Sequence, residues 1–208
     1  ICATGAFHGR TMGALTATYS SRHQGGFAPF LDGFYRVPFN DIPAIEECLK
    51  KHPNIVAVLV EPIQGEGGIC IPASDYLNKL RSLCDANDML LMLDEVQTGN
   101  GRTGKYFAYQ HSGILPDVVS TAKGLGNGFP IGACLASGRA ADIFHPGHHA
   151  TTFGGSPLAC AAALAVNEAL LREGLLENAS VQGDRIKFGL SMRLQNCPHV
   201  VAIRGNGL

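Results

Sequence analysis

The sequence predicts an α/β fold, a mostly parallel sheet with helices on both faces, on three observations. Short β-rich runs alternate with stretches of helical periodicity along most of the 208 residues, the pattern of strand–helix–strand units. The strand runs are continuously apolar, as in strands buried on both faces. Glycine makes up 26 of the 208 residues, nearly twice the usual ~7%, which implies many tight turns and close approaches of backbone to ligand.

The elements follow in order. Residues 42–51 have amphipathic helical spacing, and 55–60 (IVAVLV) form a β-branched strand. A helix is expected over 74–87 with Ser74 as its N-cap, then a strand at 89–93 (MLLML), a third around 117–120 and a fourth within 130–137 (PIGACLAS). Two helical stretches, 157–172 and 175–194, close the chain. One α/β domain over 1–178, incomplete at its N-terminus, and the start of a smaller C-terminal α/β domain over 179–208 account for this order. The chain opens in apolar residues without Met and stops at Gly207-Leu208, as expected of a piece of a larger protein.

Composition excludes several classes. Sixteen Lys+Arg against 17 Asp+Glu give a net charge of −1, unlike a protein that binds nucleic acid by neutralising phosphates. A hydrophobic fraction of 46% argues against general disorder, and no run of about 18 apolar residues is present to span a membrane. The seven cysteines are scattered without C-x-x-C spacing, so reduced thiols, mostly buried in apolar runs, are expected in a reducing, cytoplasmic setting.

Chemistry gathers at the strand ends, where open parallel sheets bind ligands. The 55–60 strand runs into Glu61-Pro62-Ile63-Gln64-Gly65-Glu66, the 89–93 strand into Asp94-Glu95-Val96-Gln97, and the third into Lys123-Gly124. A lysine at such an edge sheds water, and a desolvated lysine is a Schiff-base nucleophile. Snorkelling to the surface is the plain structural alternative. Asp94 could face the protonated nitrogen of a pyridine ring or cap the next turn. Arg10, in the run Ala6-Phe7-His8-Gly9-Arg10-Thr11, suits a substrate carboxylate or a structural acid.

Three other patterns are weaker. The 99–105 run (GNGRTGK) fits phosphate-loop spacings, but Tyr106 stands where a magnesium-ligating Ser/Thr is needed. Ser120-Thr121-Ala122-Lys123 matches S-x-x-K without the partner motifs of serine acyl-enzymes. His145, His148 and His149 lie beside Pro146 and Gly147 with no acidic partner, so a surface loop and no metal is expected.

Taken together, the stretches A-F-H-G-R-T (6–11), V-E-P-I-Q-G-E-G-G (60–68), L-D-E-V-Q-T-G-N-G-R-T-G (93–104), P-D-V-V-S-T-A-K-G-L-G-N-G-F-P-I-G (116–132) and T-T-F-G-G-S-P-L-A (151–159) resemble the class III, fold type I, pyridoxal-phosphate-dependent aminotransferases. The likeness is nearest to the acetylornithine branch of arginine biosynthesis, with the ornithine and 4-aminobutyrate branches as alternatives. It implies the cofactor pyridoxal 5'-phosphate, with Lys123 bound to its aldehyde, Asp94 at the ring nitrogen, Gln97 at the phenolic oxygen, Phe7 on the ring face and His8 beside it. It also implies a homodimer with a shared active site, in which Thr152 reaches the neighbouring subunit's phosphate. Arg10 and Glu66 would serve the substrate, an ω-amino or N-acyl-diamino acid, with 2-oxoglutarate as amino acceptor. A catalytically silent fragment of such an enzyme is the other expectation.

Overall fold

The computed structural model describes residues 1–19 and 21–208. The elements are β1 (Cys2–Ala3), α1 (Met12–Ala17), α2 (Ser21–Gln24), β2 (Arg36–Val37), α3 (Ile42–Lys51), β3 (Ala57–Val60), α4 (Tyr76–Ala86), β4 (Leu90–Asp94), β5 (Val118–Thr121), β6 (Ala133–Ala136), α5 (Pro157–Arg172) and α6 (Leu175–Leu194). Helices α3, α5 and α6 span the residues their periodicity indicates. Asp41 caps α3 by accepting a hydrogen bond from the Ala44 N–H at 2.9 Å. Helix α4 starts later than its pattern suggests, and Asp75, not Ser74, occupies the cap position. The turn at 73–75 uses Asn40, whose side chain accepts from the Ala73 N–H instead. Helix α6 runs unbroken through the 178/179 position expected as a boundary.

The six strands stand in the order β2-β1-β3-β4-β5-β6. All neighbours are parallel except β5 and β6, which pair antiparallel. The parallel register sets Val58 beside Leu91 and Val60 beside Leu93. Those four side chains form one face, packed on Ile45 of α3 and on Tyr76, Leu77, Leu80 and Cys84 of α4. Leu80, Leu91 and Ile45 are fully buried, so truncating any of them to Ala costs about 2–5 kcal/mol.

The opposite face departs from expectation. Continuous apolar strands suggest burial on both sides, yet Ala57, Leu59 and Met92 are only half-buried. They line a hollow of about 530 Å³, roofed at one end by Ala14 and Ala17 of α1. All four residues of β6 are exposed. The cysteines also differ from expectation: only Cys2 and Cys84 are buried, and Cys134 is exposed on β6.

Order 2-1-3 places the reversal of strand sequence between β1 and β3. A crevice opens beyond the carboxyl ends of strands at such a switch point. The segments leaving β1, β3, β4 and β5 therefore converge on one edge.

Candidate active site

Four strand ends build the cleft. Phe7 and His8 follow β1, Glu61 and Glu66 follow β3, Asp94 and Gln97 close β4, and Lys123 follows β5; all seven line one small cavity of about 90 Å³. The larger hollow also touches His8 and Asp94, but without Phe7, Gln97 or Lys123. Its wall is apolar sheet surface, so the chemistry belongs to the smaller cleft.

Asp94 is buried and its two oxygens are held apart in function. Oδ2 accepts from His8 Nδ1 at 2.8 Å, and Oδ1 accepts from the Val96 N–H at 3.0 Å. Removing either donor leaves a buried carboxylate short of a partner, at a cost of about 1–3 kcal/mol. The His8 Nε2 atom is buried with no partner among the described residues.

Glu61, directly after β3, is a second buried carboxylate. Its Oε2 accepts from the Phe7 N–H and its Oε1 from the Gly65 N–H, each at 3.1 Å. One side chain thus joins the turn after β1 to the turn after β3. Burial raises the Glu61 carboxyl above the ordinary carboxylate range against those two hydrogen bonds and nearby His8. Gln64 adds a parallel tie, donating from Nε2 to the Thr4 carbonyl at 2.8 Å.

Gln97 is half-buried and lies over Gly65. A Cβ on residue 65 would fall 1.5 Å from Gln97 Oε1, so only glycine leaves room for this amide. Behind it, fully buried Glu95 accepts from the Thr98 hydroxyl and from the Ala108 and Tyr109 N–H groups at 3.0 and 2.9 Å. That network fixes the loop carrying Asp94 and Gln97. Burial is again the largest influence, and it raises the Glu95 carboxyl.

Lys123 has φ +46°, a left-handed conformation uncommon for a long side chain and concentrated at functional positions. The sequence expectation of a desolvated lysine is not met: Lys123 is exposed, and it also borders an open hollow with Arg102, Asn127 and Phe129. Phe7 meets His23 edge-on, with centroids 5.1 Å apart, and the Arg10 guanidinium lies 5.8 Å from the Phe7 ring centroid. Among the described residues no carboxylate pairs with Arg10 or Glu66's side chain with a cation, and both are exposed. Thr152 is exposed and does not line the cleft.

Of the polar groups lining the cleft, the sequence singled out His8, Glu66, Asp94, Gln97 and Lys123 but assigned no role to Glu61. The His8–Asp94 bond joins positions 86 apart, and the roles of Glu61 and Glu95 had no signal beyond a carboxylate at a strand end. The glycines of 99–105 are explained by packing. Cβ atoms on Gly101 and Gly104 would come within 2.9 Å of Leu176 and Ser180, and the Gly101 position also faces Leu170. His145, His148 and His149 are all exposed, and among the described residues no group of three ligating side chains could hold a metal ion.

The donor set fits a pyridoxal ring. An acidic end is formed by buried Asp94, an amide by Gln97 and an amine by Lys123, and the buried His8 Nε2 beside Asp94 has no hydrogen-bond partner among the described residues. Comparison with known proteins identifies the family. The family model for "Aminotransferase class-III" matches residues 1–208, and the chain belongs to that family. It is 53% identical over 202 residues, 97% of this chain and 51% of the relative, to the acetylornithine aminotransferase of Nitrosomonas europaea. It is 49% identical over 208 residues, 100% of this chain and 52% of the relative, to that of Caldanaerobacter subterraneus subsp. tengcongensis. Among solved structures, the ornithine aminotransferase of Toxoplasma gondii, described with partial occupancy of PLP at its active site, superposes with a TM-score of 0.95 at 38% identity, covering 100% of this chain and 49% of that one. The chain thus spans about half the length of the relatives it matches.

Proposed function

We propose that this chain carries the cofactor-binding half of a pyridoxal-phosphate-dependent aminotransferase. Its amino donor is an ω-amino or N-acyl-diamino acid of the acetylornithine kind, and 2-oxoglutarate is the amino acceptor. The observation that carries the reading is the convergence of Lys123, Asp94 and Gln97 from adjacent strand ends on one cleft. Relatives named acetylornithine aminotransferase at about half identity favour that donor over ornithine, which names the solved structure at 38%. The same reading places the protein in arginine biosynthesis, in the cytoplasm, with no nucleic-acid or membrane partner. Among the described residues no helix is long and apolar enough to cross a membrane.

When bound, pyridoxal phosphate supplies an aldehyde and an electron-withdrawing ring, which makes loss of the donor's Cα proton feasible. The chain's residues do the rest. Lys123 Nζ would hold the cofactor's aldehyde and, as a free amine, would carry the donor's Cα proton as general base. Asp94 would keep a proton on the ring nitrogen, with His8 holding Asp94 in place. Gln97 would donate to the phenolic oxygen, and Phe7 would cover one ring face. Arg10 binds a substrate carboxylate. Glu66 holds an arginine from the remainder of the protein until a dicarboxylate arrives. Thr152, remote from this cleft, serves the phosphate of a neighbouring subunit in a homodimer. Residues 179–208 begin the smaller domain.

Borohydride reduction of the cofactor-loaded complete protein, followed by peptide mapping, is expected to fix label on Lys123. Label on Lys105, or on no lysine, overturns the reading. A screen of donors against 2-oxoglutarate then ranks N-acetylornithine against ornithine and 4-aminobutyrate.

A further inference from the structure

Asn100 belongs to the glycine-rich run that phosphate-loop spacing had singled out and that the proposed chemistry leaves unused. It is buried, with φ +55°, a conformation asparagine tolerates better than most residues. Its Nδ2 donates twice, to Thr121 Oγ1 at 2.8 Å and to the Ala122 carbonyl at 3.1 Å. Thr121 is the last residue of β5, and Ala122 directly precedes Lys123. A carbonyl oxygen only accepts, so the amide nitrogen must face it, and Oδ1 is left buried without a partner among the described residues.

The contact reaches the strained point of the site. A long side chain held at positive φ persists only where its surroundings over-determine it. Among the described residues, Asn100 supplies the side-chain hydrogen bond to the peptide that leads into Lys123. The backbone adds the Leu125 N–H on the same carbonyl at 2.9 Å. Asn100 also packs under the turn, since a Cβ on Gly124 would meet Asn100 Cβ at 3.1 Å. Three residues before it lies Gln97, so one amide links the loop of the ring-oxygen donor to the loop of the amine.

We propose that Asn100 is a positioning residue that holds the Lys123 backbone in its left-handed turn and so aims the amine at the cofactor cleft. The inference rests on the aminotransferase reading for what Lys123 does, but its structural half stands apart from it.

The test uses the complete protein with Asn100→Asp and Asn100→Gly. Aspartate keeps volume and tolerance of positive φ but cannot donate to the Ala122 carbonyl; glycine keeps the backbone and removes the side chain. Both are expected to lower kcat by about 10- to 100-fold through a misplaced amine, with KM for the amino donor within about twofold. Borohydride labelling of Lys123 should slow in step, and amide hydrogen exchange over 123–125 should quicken. Thr121→Val, which removes one of the two acceptors, is expected to lower kcat by a smaller factor, with Thr121→Ser at the wild-type level; this pair decides the matter if neither Asn100 variant folds. Unchanged kcat and labelling in the Asn100 variants, or a lower melting temperature with exchange over 123–125 unchanged, overturns the proposal. If the wild-type protein takes no label at Lys123, the aminotransferase reading fails, and the exchange measurement alone still decides whether Asn100 holds the turn.

Discussion

Glu61 and Glu95 show how a carboxylate can serve a site without touching substrate. Each replaces water with fixed donors, and burial still raises each above the ordinary glutamate value. A folded-state pKa raised above the unfolded one means that the native chain binds more protons through that interval. The stabilising contribution is therefore fully present below about 4.5 and is lost as pH rises through the raised value. The urea midpoint of the wild-type protein relative to Glu95→Gln should accordingly be highest at acid pH and decline toward neutrality; a constant difference would contradict the sign. Asp94→Asn is a second case. On the proposed function the amide keeps the shape but loses the negative charge meant for the ring nitrogen, so kcat should fall about 100-fold or more while cofactor is retained, measurable by absorbance and turnover together. Asp94 and Lys123 were legible because a polar residue closing an apolar run is conspicuous in one dimension. The His8–Asp94 pairing was not, because nothing local records a contact across 86 positions. The exposure of Lys123 was not either, because local apolarity says nothing about which segment covers a strand end.

At the scale of elements, length decides what can be read. Helices α3, α5 and α6, of 10, 16 and 20 residues, give their periodicity room to declare itself. Strands β1 and β2 have two residues each, too few for any pattern, although β1 leads Phe7 and His8 into the cleft. The glycine run of 99–104 was visible but the cause at Gly101 and Gly104 was not, because their neighbours come from α5 and α6, some 70 residues later. That packing predicts a graded effect. Gly113 has φ +65° with nothing within 4 Å of a Cβ, so Gly113→Ala should cost only the left-handed penalty of about 1–2 kcal/mol. Gly104 has φ +86° and would also press Ser180 at 2.9 Å. Gly104→Ala should therefore lose about 1–3 kcal/mol beyond that. Equal melting temperatures for the two variants would refute the packing account.

At the scale of the molecule, the unequal faces of the sheet follow from what this chain contains. Helices α3 and α4 close one face into a core, whereas α1 covers only the end of the other. The continuous apolar runs of β3 and β4 are the signature of a sheet covered twice, and the chain spans about half the length of its relatives. Leu59 and Met92, half-buried on the open face, depart from that signature, and segments of the complete protein outside residues 1–208 are predicted to cover them. Phe144, Phe153 and Leu158, which flank Thr152, are exposed as well. Large exposed apolar side chains favour association where they adjoin, and exposed β6 adds an edge open to pairing. Residues 1–208 expressed alone should bind a solvatochromic dye strongly and sediment as species larger than a monomer, while the complete protein binds the dye weakly. Shielding one face at a time separates the causes: Leu59→Lys and Met92→Lys should reduce dye binding by the isolated piece, and Phe153→Lys should reduce its self-association. A monomeric piece that leaves the dye dark would mean that the open face closes by rearrangement of this chain itself, and the cleft geometry, which hangs from the same strands, would change with it.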